Sequence, residues 1–254
     1  MATSTAVSTE DRGWALVTGA AKRLGAALAL AAARAGFDII VHYRRSAREA
    51  EATAEAIAAL GVKAAVRAAD LADPAACRRL VEDAPAPLRL LINSASVFEP
   101  DAAESLAGYE AAMAINLRAP LILSQAMAAA LPADARAQIV NITDQRVWRL
   151  TPRFFSYTLS KAALWTATQT LAQALAPRIR VNAIGPGPTL ASVHQSAEGF
   201  ARQTAAIPLG HGPTADDIAA ALTYLIGAEA VTGQMIAVDG GQHLAWKTPD
   251  VIDD

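Results

Sequence analysis

The chain has 254 residues, enough for one large α/β domain, with 22 Lys and Arg against 24 Asp and Glu and a pI ≈ 6.1. Near-neutrality argues against a general nucleic-acid or membrane-surface binder, each of which needs a net basic face. Cys77 is the single cysteine, which excludes a disulfide framework and a Cys-based zinc site; it reads as a small apolar residue on a helix.

Residues 1–12 are small and polar, without the basic start or apolar core of a secretory signal, and are expected to form a disordered lead-in. No uninterrupted apolar run of about 18 residues occurs, so no membrane partner is expected and the chain reads as cytoplasmic. From residue 13 to 246, short apolar runs alternate with longer helical patterns. WALVT (14–18) is the first strand, followed by a helix that stops at Gly36. DIIVHY (38–43) is the second, followed by a helix capped at Ser46 and stopped at Gly61. VKAAVRA is the third, and Asp73 with Pro74 opens the next helix. LRLLINSAS, QIVNIT, RIRVNAIGPGP and MIAVDGG supply strands four to seven, with long helices over 109–130 and 155–176. The strands are rich in Val, Ile and Leu without polar alternation, as in a parallel sheet covered on both faces. The expected fold is therefore α/β, a single doubly wound Rossmann domain whose ligands bind beyond the carboxyl ends of the strands. The segment 186–213 lacks periodicity and is expected as an irregular substrate lid; 247–254 is a tail.

Those strand ends carry the unusual residues. In TGAAKRLG (18–25), Gly19 follows a strand and Gly25 opens a helix, so backbone N–H groups and the helix dipole can face a pyrophosphate. Lys22, Arg23 and Leu24 lie between them. Alone the pattern is weak, because strand–Gly–helix turns are common. At the second strand end, HYRRS (His42, Tyr43, Arg44, Arg45, Ser46) sits where an adenosine ribose would lie. Arginines and a hydroxyl there suit a 2′-phosphate, where an acidic residue would select NAD. The alternative is a solvated basic turn. Tyr157 and Lys161 stand four apart on one helix face, so that an ammonium can lower the phenol pKa and make it a usable acid. Asp144 closes a strand 13 residues before Tyr157.

Over roughly 14–244 the chain resembles a short-chain dehydrogenase/reductase. The resemblance rests on TGAAKRLG, ADL (69–71), INSAS (92–96), Asn116 in INLRAP, YTLSK, VNAIGPG and VTGQMIAVDGG. It implies hydride transfer from a nicotinamide with Tyr157 as proton donor, Lys161 on the ribose and lowering the tyrosine pKa, and Asn116 supporting a relay water. It also implies cofactor contacts by Asp70, Leu71, Asn93, Ser94, Ala95, Pro186, Gly187 and Thr189, and a homotetramer. Three departures are informative. Arg23 replaces the middle glycine of the family loop, NSAS replaces NNAG, and Asp144 replaces the serine. With HYRRS, Phe98 and the ending DGGQHL, they resemble the pteridine reductase branch, dihydromonapterin reductases included. There Arg23 would face cofactor and pterin, Phe98 would stack on the pterin ring, and Ser96 and Asp144 would line the substrate site. A serine suits a ketone oxyanion, whereas Asp144 beside Tyr157 raises its pKa or shares its proton, favouring protonation of a C=N nitrogen.

The expected activity is NADPH-dependent reduction of a small pterin-like substrate, dihydropterin or dihydrofolate. A carbonyl reductase of ketoacyl or sugar type is the alternative. A non-catalytic NADP(H) sensor is a third reading, opposed by the intact Tyr157 and Lys161. His194, His211 and His243 lack metal-ligand spacing, and no metal is expected. Trp148 and Trp165 read as packing or subunit contacts, and Trp246 as a residue near an adjacent subunit.

Overall fold

The computed structural model describes residues 12–191 and 194–246. The expected lead-in, apart from Arg12, and the tail 247–254 lie outside the described residues. The described residues form a seven-stranded parallel sheet in the order β3-β2-β1-β4-β5-β6-β7. Its strands are β1 (Trp14–Val17), β2 (Asp38–Tyr43), β3 (Ala64–Ala68), β4 (Leu88–Asn93), β5 (Ala137–Ile142), β6 (Ile179–Pro186) and β7 (Met235–Val238). The helices are α1 (Arg23–Arg34), α2 (Ala47–Ala58), α3 (Pro74–Glu82), α4 (Tyr109–Ala112), α5 (Ala119–Ala130), α6 (Phe155–Leu175), α7 (Ala197–Ala205) and α8 (Ala215–Gly227).

Strand residues divide strictly between two cores. Ala15, Val17, Ile39, Val41, Leu90 and Ile92 pack on one face with α1, α2 and α8 residues such as Leu28, Ile57 and Leu222. Trp14, Leu16, Ile40, Leu88 and Leu91 pack on the other with Cys77, Leu123 and Met127. Both faces are covered, which is why the strands read as unbroken apolar runs. Cys77 is fully buried and its thiol is pushed up to about 11, first of all by that burial, so it is an inert packing residue.

Local signals are met in chemical detail. Asp73 accepts from the Ala75 N–H at 2.8 Å with Pro74 at the first turn of α3, and Thr214 and Asp217 form a capping box at α8. Three expectations change. Ser46 occupies the cap position of α2 but makes no side-chain cap, which leaves its hydroxyl for other partners. The helix expected over 109–130 contains a π-helical stretch, Met113–Arg118, which re-aims Asn116. The segment 186–213 is not wholly irregular: Ser196 accepts from the Gly199 N–H and caps α7, a polar nine-residue helix whose amphipathic pattern is too short to stand out in sequence.

Candidate active site

The turn between β1 and α1 lies against the loop after β4. Thr18 Oγ1 accepts the N–H groups of Ser94 and Ala95 at 2.9 and 3.0 Å, tying the two loops together. A Cβ at Gly19 would come 3.0 Å from Ala95 Cα, and one at Gly25 would lie 2.1 Å from the Gly19 carbonyl oxygen, so neither turn nor helix start tolerates a side chain. Arg23 stands at φ 55, in the left-handed region normally given to glycine. The backbone thus adopts a conformation that glycine reaches without penalty, while the side chain reaches across the cleft. There its Nη2 donates to the Ala191 carbonyl at 2.9 Å. The first turn of α1 holds no acidic residue, so nothing of like charge opposes an anion at its N-terminus.

His42 does not face the cleft. Its Nδ1 accepts the Gly19 N–H at 3.1 Å, which assigns Nε2 as the N–H donor to the Ala69 carbonyl at 3.2 Å. Burial holds its pKa down at about 4, so the ring stays neutral and braces the turn. The Gly19 N–H, expected to meet a pyrophosphate, is taken by this contact. Asn93 is likewise internal: its Nδ2 donates to Asn141 Oδ1 at 2.8 Å, and Asn141 in turn donates to Thr168. Leu71 is a core residue, 5% exposed. These three were expected beside a cofactor; their side chains are buried in the scaffold that shapes the site. Lys22, Arg44 and Arg45 are exposed at the ends of adjacent strands, and Tyr43 is half-buried beside them. Arg44 pairs with Asp70 at 3.0 Å, closing the edge of that surface.

A cleft of about 590 Å³ opens beyond the sheet, lined by Arg23, Leu24, Ser94, Ser96, Phe98, Asp144, Tyr157, Lys161, Pro186, Gly187 and Thr189. Tyr157, 8% exposed, donates from Oη to Asp144 Oδ2 at 2.8 Å. Asp144 Oδ1 accepts the Arg146 N–H at 2.8 Å, so the carboxylate is fixed by the turn that follows β5. Lys161 Nζ donates to the Ile142 carbonyl at 2.7 Å and lies 5.7 Å from the Tyr157 ring centroid. Burial pushes Lys161 down to about 8 and raises Asp144 above the usual carboxylate range. Tyr157 stands well above its ordinary value, first through burial and then through Asp144, with the Arg146 guanidinium opposing. The expectation that Lys161 would bring the phenol down is therefore reversed: desolvation and a carboxylate at hydrogen-bond distance outweigh a cation whose Nζ is held by a backbone carbonyl. Tyr157 and Asp144 both favour their protonated forms, so the phenol carries its proton at neutral pH, as a donor must.

Asn116 is fully buried and its side chain is saturated. Oδ1 accepts from the Val97 N–H and Ser96 Oγ, and Nδ2 donates to the Val97 carbonyl and Ser160 Oγ. Ser160 Oγ donates onward to the Tyr157 carbonyl at 2.7 Å. The side chain has no group left for a relay water; it locks the loop carrying Phe98 to the helix carrying Tyr157.

Phe98 meets Tyr157 edge-on at 4.7 Å, but one of its faces is covered by Phe154, stacked at 4.1 Å and 11°. Sequence reading missed Phe154, Arg146 and Gln145, all lining the cleft. Proximity in sequence to Tyr157 and Asp144 was their only signal. Of the histidines, His194 lines the cleft with Nε2 3.3 Å from Glu99, and His243 pairs with buried Asp239 at 2.7 Å. His211 Nδ1 stands 3.2 Å from the Gly212 carbonyl, away from the cleft. Among the described residues no cluster suits a metal. Trp148 packs edge-on against Trp165, and Trp246 is exposed.

Comparison with known proteins agrees with this architecture. The family model described as Enoyl-(Acyl carrier protein) reductase matches residues 19–243. An uncharacterised oxidoreductase of Methylorubrum extorquens is 35% identical over 240 residues, 89% of this chain and 96% of the relative. Galactitol 2-dehydrogenase of Agrobacterium fabrum is 30% identical, over 91% of this chain and 97% of its own. The crystal structure of FolM alternative dihydrofolate reductase 1 from Brucella canis, complexed with NADP, is 48% identical, with TM-score 0.90 and coverage of 95% of this chain and 98% of that one. The protein is an oxidoreductase of doubly wound α/β architecture. It belongs to the short-chain dehydrogenase/reductase family.

Proposed function

We propose that the protein is an NADPH-dependent reductase of a flat C=N substrate of the pterin class, dihydropterin or dihydrofolate. The observation that carries this reading is the 2.8 Å hydrogen bond from Tyr157 to a half-buried Asp144, in a cleft that also holds Phe98. The 48% identity to a FolM alternative dihydrofolate reductase in complex with NADP supports it.

The residues present fit the dinucleotide. The α1 N-terminus is free of acidic side chains, Gly25 keeps the turn flat, and Lys22, Arg45 and the uncapped Ser46 would hold the 2′-phosphate. Ser94, Pro186, Gly187, Thr189 and Lys161 would flank the nicotinamide half. When bound, NADPH supplies the hydride. Tyr157 is the proton source: with its pKa raised it is fully protonated at neutral pH, and a substrate nitrogen arriving at Oη competes with Asp144 Oδ2 for that proton. Asp144, whose own pKa is raised, holds a proton near neutrality more readily than an ordinary carboxylate and can reload the phenol. Arg146 and Lys161 compensate the negative charge left on the pair.

The test is a spectrophotometric assay of NADPH oxidation with dihydromonapterin, dihydrobiopterin, dihydrofolate, a β-ketoacyl thioester and a sugar ketone. Turnover of a pterin is expected. Turnover confined to the ketones would replace this reading by carbonyl reduction, a chemistry that the galactitol 2-dehydrogenase relative keeps in view.

A further inference from the structure

The cleft holds a cation for which the chemistry above has no binding use. Arg146 follows Asp144 by two residues on the short 3-10 turn Gln145–Val147. Its guanidinium carbon lies 5.2 Å from the Phe98 ring centroid, 5.1 Å from that of Phe154 and 5.9 Å from that of Tyr157. Its Nη1 is buried with no hydrogen-bond partner. The nearest carboxylate does not serve it: Asp144 spends one oxygen on the Arg146 backbone N–H and the other on Tyr157. Gln145, on the same turn and also lining the cleft, has its Oε1 buried without a hydrogen-bond partner.

Aromatic faces attract a guanidinium, and the three rings account for its position. They cannot satisfy an N–H in the plane of the fork, and a charged donor left unpaired in a buried site is costly. Arginine forks are satisfied by oxygen acceptors, carboxylates and carbonyls above all. An oxygen acceptor from outside the chain would complete the fork at the cleft that Arg146 lines together with the stacked pair Phe98 and Phe154, aromatic groups that suit a planar ligand.

We propose that Arg146 is a substrate-binding, specificity-determining residue whose guanidinium takes an oxygen acceptor carried by a planar substrate. The proposal rests on the reductase reading above. The acceptor is either a ring carbonyl, present in any dihydropterin, or the pendant carboxylate that dihydrofolate adds. Arg146 fixes one end of the substrate while Tyr157, beside it, addresses the reacting nitrogen.

The experiment compares wild type with Arg146→Met, which keeps length and apolar packing and removes the donors, on dihydrobiopterin and dihydrofolate. Loss of one charge-assisted hydrogen bond predicts a KM rise of about 10- to 100-fold for the substrate. The KM for NADPH is expected to stay within about twofold, because a residue that only stiffened the site would disturb both. A rise on both substrates assigns the ring carbonyl; a rise on dihydrofolate alone assigns the carboxylate. Unchanged substrate KM on both, in a variant with wild-type circular dichroism, overturns the proposal. Should the Met variant not fold, Arg146→Lys keeps stem and charge without the planar fork. A KM rise of about threefold or more is then expected, and an unchanged KM overturns the proposal. If the wild type reduces ketones and no pterin, the pterin reading fails by itself. Arg146 is then read by the same comparison on the β-ketoacyl thioester, whose carbonyls are acceptors as well.

Discussion

Arg23 is the residue at which backbone and side chain make opposite demands, so Arg23→Gly separates them. Arginine at φ 55 carries a left-handed penalty of about 1 kcal/mol, which glycine would relieve. Glycine in turn loses more backbone entropy on folding, about 0.5–1 kcal/mol, and the two effects nearly cancel. What remains is the side chain's contact with the segment after β6. Its 2.9 Å bond to the Ala191 carbonyl counts as one hydrogen bond of about 1 kcal/mol; the 3.5 Å approach to Leu190 adds little. The expected net change is thus no more than about 1 kcal/mol, a shift in Tm of at most about 4 °C by calorimetry. The local consequence is larger. With that tether gone, amide exchange and limited proteolysis around 188–191 should accelerate about fivefold, the factor corresponding to 1 kcal/mol. The KM for NADPH should rise as a cation leaves the cleft. A Tm loss above about 10 °C would show that the side chain holds the fold. Unchanged exchange at 188–191 would show that it does not hold the segment. Either result refutes the reasoning.

Two pH dependences follow. His42 has a folded pKa of about 4 against an ordinary 6.5, so folding excludes its charged form. Its contribution is complete above pH 6.5 and drains away as pH falls toward 4. At roughly 1.4 kcal/mol per unit the loss reaches about 3 kcal/mol, visible as a falling Tm that His42→Gln, unable to titrate, should lack in that window. Equal acid sensitivity in wild type and variant would show that His42 is not the cause. Lys161, held down at about 8, is charged below that pH and neutral above it. Reductive kcat should therefore fall as pH rises through about 8, and Lys161→Met should lose that limb together with most of the activity. A flat wild-type profile from pH 7 to 9 would remove the lysine's charge from the chemistry.

The legible parts of this protein were those set by local rules. Alternating apolar runs, Gly36 and Gly61 at helix ends and Asp73–Pro74 at a helix start are decided by neighbours in sequence, and the sheet follows from them. The Tyr157–Asp144 contact was foreseen through the family resemblance, in which Asp144 takes the place of a serine 13 residues before the tyrosine. The environment of each side chain was less legible. His42, Asn93 and Asn116 look like ligand contacts by position, yet the His42 ring, the Asn93 Nδ2 and the whole Asn116 amide are taken by Gly19 and Ala69, Asn141 and the Val97–Ser160 network. Phe98, expected to stack on a pterin ring, lines the cleft with Phe154 on one face, because no sequence signal reports which rings stack.

By itself, then, the sequence determined the architecture and the strand ends at which the cleft opens, which rest on periodicity and turn chemistry. Only the tertiary structure decided the direction of the tyrosine shift and the existence of a guanidinium Nη1 without a hydrogen-bond partner beside it. Both depend on burial and on distances between residues brought together by packing. A pKa is the balance of desolvation against neighbouring charge, and neither can be weighed until the chain has folded.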